Sequence, residues 1–156
     1  MISIKTIDNI EYTVSRNVIN MSNVVYDLIK DFPEEEPVSI PIPGVDSKTF
    51  EKIISYCNYH WNNKAKPIEK PLPGDINKFI CEFDQEYINV PVEELNKLIN
   101  AVHMLDIPDL FGLCCAAIAY KITGKSSDEM ADILGLEKMS HGDREVCRKE
   151  FSWFYN

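Results

Sequence analysis

Strands first and helices afterwards, the chain predicts an α+β layer arrangement with a helical C-terminal end. Two patterns and one proportion carry that expectation. Apolar residues alternate with period two at Ile2 and Ile4, at Ile10, Tyr12 and Val14, and again at Val38, Ile40 and Ile42. From Ile76 onward they recur instead at helical spacing. With 156 residues, 45% of them hydrophobic, the chain can bury the core of one domain, or of one domain with a short appended module.

The first two strands read as a hairpin closed by a two-residue turn at Asp8-Asn9. Val18 to Phe32 predicts one helix, with Val24, Val25, Leu28 and Ile29 at helical spacing, running into Pro33 and a solvated acidic loop at Glu34-Glu35-Glu36. In the third strand Pro41 and Pro43 lack the amide donor, which places it at a sheet edge. Asp46 or Ser47 caps a helix whose Phe50, Ile53, Ile54 and Cys57 share a face. Asn62 to Pro73, with prolines at 67, 71 and 73, predicts a surface loop. Pro91 opens a helix that carries Glu93 and Glu94 near its positive dipole end and Leu95, Leu98, Ile99 and Val102 as its stripe. Asp106-Ile107-Pro108 begins the next, and Gly124 stops it. Ser126 with Glu129 is a capping box for a helix over Ser127–Leu134, and Ser140 caps a last helix toward Phe151.

Charge and cysteine usage exclude several functions. A formal net charge of −9 repels phosphate backbones and anionic lipid, so neither nucleic acid nor a membrane surface is an expected partner. Five cysteines without CxxC spacing exclude a disulfide framework and a zinc ribbon, and fit a reducing compartment. Met1-Ile2-Ser3-Ile4-Lys5 has no basic run leading into an apolar stretch, which predicts no secretory leader, and Leu110–Tyr120 is too short to span a bilayer. GxSxG, HExxH, phosphate-loop and GxGxxG motifs are all missing. Cys57 and His60 can share a helix face but have no second His/Cys cluster to complete a coordination sphere, so they read as residues at a core margin. Cys114 and Cys115 point to different sides of a helix and read as small apolar residues. No catalytic site, metal or cofactor is expected.

Ile107 to Ile122 is more informative. Leu110, Leu113, Ala117 and Tyr120 make one stripe, while Phe111, Cys115, Ile118 and Ile122 make a second. A helix apolar on nearly all sides needs cover on nearly all sides, either from the helices that follow or from another chain. The segment Phe151-Ser152-Trp153-Phe154-Tyr155 is dense in aromatics where a polar, frayed stretch is usual. Trp and Tyr anchor interfaces, so these residues predict a helical platform for a partner.

The same residues carry a resemblance. Ser3-Ile4-Lys5, Ile40-Pro41-Ile42-Pro43-Gly44-Val45 (like "PLPNV"), Tyr56-Cys57-Asn58-Tyr59-His60 (like "WCTHH"), Asp84-Gln85-Glu86-Tyr87 (like "DQEF"), Leu105-Asp106-Ile107 with Leu110, Ile122-Thr123-Gly124-Lys125 and Arg148-Lys149-Glu150 with Trp153 occur in one order along the chain. In this the chain resembles the S-phase kinase-associated (Skp) family, adaptors that link F-box proteins to a cullin in ubiquitin ligases. The resemblance implies a BTB/POZ-type fold over residues 1–122, a three-stranded sheet with surrounding helices, followed by two C-terminal helices over 123–156. It implies a non-catalytic SCF-type adaptor resident in cytoplasm and nucleus. F-box contacts carry over to Ile99, Phe111, Cys115, Ile118, Ile122, Met130, Leu134, Leu136 and Trp153, and the cullin contact to His103 and Met104. Without an F-box protein a homodimer is expected.

The chain departs from that family at three places. His103-Met104 stands where Asn-Tyr is usual, exchanging a phenol for a thioether. Ser127 replaces a proline that some members hydroxylate, so that modification has no substrate here. Lys64, Lys66 and Lys70 make the Asn62–Pro73 loop less acidic than usual. Other readings are an F-box-binding BTB scaffold without a cullin, a homo-oligomerising BTB scaffold, an elongin C-like adaptor ending near Gly124, and, more distantly, a cysteine or metal enzyme.

Overall fold

Ile2 and Ile4 face the core from strand β1 (Ile2–Lys5), the middle of a three-stranded sheet. Strand β2 (Glu11–Val14) pairs antiparallel to it, Ile2 opposite Val14 and Lys5 opposite Glu11. Strand β3 (Val38–Pro41) pairs parallel on the other side, Ile4 opposite Ile40, so the proline-bearing strand does lie at an edge. The computed structural model describes residues 1–33, 37–72 and 74–154; the acidic loop expected at Glu34-Glu35-Glu36, Pro73 and Tyr155 lie outside them. The β1–β2 connection is longer than a two-residue turn. Thr6 donates its N–H to Ile10 O, Asn9 donates to Thr6 O, and Asn9 adopts φ 63°. A short polar side chain tolerates that left-handed position, which produces a three-residue loop and leaves Ile10 exposed.

The helix expected over Val18–Phe32 is two: α1 (Arg16–Ile19) and α2 (Asn23–Ile29). Ser22 divides them. Its hydroxyl accepts from the Val25 N–H at 3.1 Å, capping α2, and donates to the backbone carbonyl of Leu105, all in full burial. Of the four apolar residues expected to face inward, Val25 and Ile29 do and Val24 and Leu28 do not. The chain then returns to β3, the crossover that a parallel pair requires.

Helix α3 (Ser47–Asn62) starts where Asp46 accepts the Thr49 N–H at 2.8 Å, and it buries Phe50, Ile53, Tyr56, Cys57 and His60. A 3₁₀ turn (Ile76–Lys78), α4 (Glu82–Tyr87), α5 (Val92–Leu105) and α6 (Pro108–Ile122) follow. Pro108 opens α6 where its missing donor costs nothing. The Tyr87 hydroxyl donates to Lys52 O at 3.0 Å, and Lys52 pairs with Glu94 at 2.9 Å, so α4 and α5 are both tied to α3.

Residues Met1–Tyr120 form one compact unit, and a second begins at Lys121. In the second, Ser126 and Glu129 close the expected capping box around α7 (Ser127–Leu134). Gly135, at φ 67°, ends α7, and Leu136 donates its N–H back to Ala131 O at 2.8 Å, a Schellman-type stop. Ser140 caps α8 (His141–Glu150), and a 3₁₀ turn over Ser152–Phe154 follows. No described helix is long and apolar enough to cross a membrane.

Ser22→Ala removes a helix cap and deprives a buried carbonyl of its donor. It is expected to cost about 1.5–3 kcal/mol, read as a lower urea midpoint at constant m-value.

Candidate protein-interaction surfaces

The two stripes of α6 have different fates. Leu110, Leu113, Cys114 and Ala117 are sealed in the core. Tyr120, expected with them, is exposed, and the charge of Asp75 holds its phenol above the usual range; a phenol is better placed with its hydroxyl in polar surroundings. Phe111, Cys115 and Ile118, the first-unit members of the second stripe, are half-buried. Ile99 on α5 is half-buried too. Ile99, Phe111 and Ile118 pack against the core but are incompletely covered.

At the C-terminal end of α5, His103 and Met104 are both exposed, Met104 by 39%. The His103 ring lies 5.5 Å from that of Phe111. Gly44, at φ 84°, packs close to Met104: a Cβ built there would sit 3.9 Å from the Met104 sulfur. Met104 therefore borders the turn that leads into α3.

In the second unit Met130 and Leu134 fall four residues apart on α7 and are half-buried, as is Ile122. Leu136 is 62% exposed and Trp153 73%. Trp153 and Phe154 meet edge to face at 6.0 Å. With Phe151, Met139 and the aliphatic stems of Arg144 and Arg148 they border a pocket of about 570 Å³. Arg144 is held in place by an ion pair with Asp128 and a bond to Met139 O at 3.1 Å. Phe154, Phe151 and Met139 were not among the contacts carried over from the resemblance. The aromatic density of residues 151–155 was the available signal for the two phenylalanines; Met139 had none.

Cys57 and His60, read from the sequence as residues at a core margin, are both buried. Cys57 is wholly buried, and burial pushes its thiol up from 9.0 to about 12; the same holds for Cys114. His60 turns toward α4, where Nε2 lies 2.9 Å from Asp84 Oδ1, while Nδ1 lies 2.7 Å from Asn63 O. No sequence spacing announces a pair separated by 24 positions. Around it Tyr59 stacks on Phe83 at 3.9 Å, and Tyr56, Phe83 and Tyr87 continue the aromatic layer.

Sheet, helices and incompletely covered apolar surfaces together define a POZ-type interaction module. Residues 1–62 match the Skp1 family tetramerisation domain, and residues 108–154 the Skp1 family dimerisation domain. Among the relatives is "E3 ubiquitin ligase complex SCF subunit sconC" of Talaromyces marneffei, 30% identical over 154 residues that make up 97% of this chain and 95% of the relative. A "Skp1-related protein" of Caenorhabditis elegans is 30% identical over 158 residues, 97% and 90% of the two chains. An "S-phase kinase-associated protein 1 homolog" of Tetrahymena thermophila is 29% identical over 155 residues, 97% and 92%. The chain belongs to the Skp1 family.

Cys57 and Cys114 stay protonated in the fold but ionise once unfolded, so they favour unfolding as pH rises from about 9 toward about 12. Urea midpoints are therefore expected to be level between pH 7 and 8.5 as far as these thiols are concerned. Above pH 9 each thiol contributes a fall approaching about 1.4 kcal/mol per pH unit.

Proposed function

We propose that the protein is a non-catalytic adaptor of an SCF-type E3 ubiquitin ligase, bridging a cullin to F-box substrate receptors. The observation that carries this reading is the state of the apolar surface. Phe111, Cys115, Ile118 and Ile122 are half-buried and Trp153 is 73% exposed, whereas Leu110, Leu113, Cys114 and Ala117 of α6 are sealed. Burying such a surface under amphipathic helices removes apolar area from water at roughly 25 cal/mol per Å² before ordering costs. Relatives named as SCF subunits along nearly their full length support the same reading.

F-box helices are received by Ile99, Phe111, Cys115 and Ile118 on the first unit and by Ile122, Met130, Leu134, Leu136 and Trp153 on the second. The cullin docks on the POZ half at His103-Met104. An imidazole and a thioether there present an apolar body without a phenol's hydroxyl, so affinity rests on shape and burial rather than on that hydrogen bond. An exposed apolar surface also drives self-association in the free chain. Light scattering should show a mass that rises with concentration and returns to a single chain when F-box peptide is added.

Trp153→Ala is expected to weaken binding of an F-box peptide by about 2–4 kcal/mol in titration calorimetry, the range of a central aromatic anchor. Its exposure in the free chain means the far-ultraviolet circular dichroism should not change. A loss below about 0.5 kcal/mol, the scale of an ordinary surface substitution, rejects the assignment. Met104→Asp is expected to weaken cullin binding by more than about tenfold, since a charge would be desolvated at the contact, while F-box affinity stays within about twofold.

A further inference from the structure

Away from these surfaces, His60, Cys81 and Asp84 bring one nitrogen, one sulfur and one carboxylate oxygen within 4.8 Å of one another. Helix α3 supplies the histidine from its last turn; Cys81 stands at the N-terminal boundary of α4, and Asp84 lies within it. His60 and Asp84 are each 6% exposed, and Cys81 is half-buried. All three line a cavity of about 490 Å³ at the foot of the loop after α3.

The hydrogen bonds around His60 already have the form of a ligand's. The carbonyl of Asn63 can only accept, so Nδ1 carries a proton and donates it at 2.7 Å. That bond fixes the ring and turns Nε2 toward Asp84, the arrangement metal-bound histidines use to hold their orientation. Nε2 and Oδ1 lie 2.9 Å apart.

We propose that His60 Nε2, Cys81 Sγ and Asp84 Oδ1 bind a borderline divalent cation of the zinc type. With a neutral imidazole, a thiolate and a carboxylate, the ligands carry two negative charges and neutralise a divalent ion. Mixed N, S and O ligands favour zinc over magnesium or calcium, which take oxygen alone. Four-coordinate zinc, with ligands at about 2.0–2.3 Å, spaces them about 3.3–3.8 Å apart. The gap from Nε2 to Oδ1 must therefore widen slightly and the sulfur draw in, movements within reach of a thiol and a carboxylate side chain. Binding needs a bare Nε2 and a thiolate, so any proton on either goes to solvent. Lys64, Lys66 and Lys70 sit exposed at the rim of the cavity, where water screens them, and Asp109 lines it as a compensating anion. The fourth position faces the cavity and takes a water. The cation would clamp the end of α3 to α4 and is independent of the adaptor reading.

The test is a titration of the reduced, full-length chain with cobalt(II) chloride as the spectroscopic stand-in for zinc. Expected are a near-ultraviolet thiolate-to-cobalt charge-transfer band and visible bands of a four-coordinate ion, saturating at one ion per chain and displaced by zinc chloride. Cys81→Ser abolishes the charge-transfer band, and Asp84→Asn weakens zinc at least about tenfold. Cys147→Ser, a cysteine on α8, leaves both unchanged. Serine is favoured at a helix N-cap, so Cys81→Ser keeps the fold, and circular dichroism checks it. Absence of a saturable cobalt spectrum overturns the proposal, as does a charge-transfer band that survives Cys81→Ser.

Discussion

One helix sets the terms for the rest of the molecule. Between Asp109 in its first turn and Lys121 in its last, α6 carries no charged residue, so it has no polar face to give to water. The first unit seals Leu110, Leu113, Cys114 and Ala117 and leaves Phe111, Cys115 and Ile118 half covered. Those sealed residues belong to the same core cluster as buried residues of the sheet, α3 and α5. The second stripe is the surface proposed to bind a partner. A polar substitution there would improve solubility and remove the surface that F-box helices are proposed to fill.

The two units are held by different kinds of interaction. In the first, polar ties join residues far apart in sequence: Ser22 to the Leu105 carbonyl, Tyr87 to the Lys52 carbonyl, Lys52 to Glu94, His60 to Asp84. In the second, the polar contacts are mostly local, the Asp128–Arg144 ion pair between α7 and α8 apart. Ser126 and Glu129 close on each other, Ser140 caps its own helix, and α8 has no buried residue. Its hydrophobic support comes from residues such as Ala131, with Met130 and Leu134 half covered. Such a unit lies toward the low end of local stability, where binding segments are usually found.

What the sequence made legible follows the same division. The capping box at Ser126, the caps at Asp46 and Ser140, the proline at the start of α6 and the edge position of β3 depend on neighbours a few residues away, and the structure has them where the spacing put them. The break between α1 and α2 was not legible, because the partner of Ser22 is a carbonyl 83 positions away. The longer hairpin loop turns on one residue's left-handed backbone, which Asn9 permits but does not announce. The His60–Asp84 pair was hidden for the same reason: only tertiary packing brings Cys81 and Asp84 to the histidine. The second stripe of α6 could be read as needing cover from the pattern alone. The pocket framed by Phe151 and Phe154 depends on how α8 and the turn after it are arranged.

The open aromatic turn after α8 ties the protein's persistence to its company. A surface stabilised by association gains stability as the logarithm of free partner over dissociation constant. Chains made in excess of their receptors forgo that gain and present Trp153 and Phe154 to proteases and chaperones. On the proposed reading, the amount of adaptor that endures follows the supply of receptors.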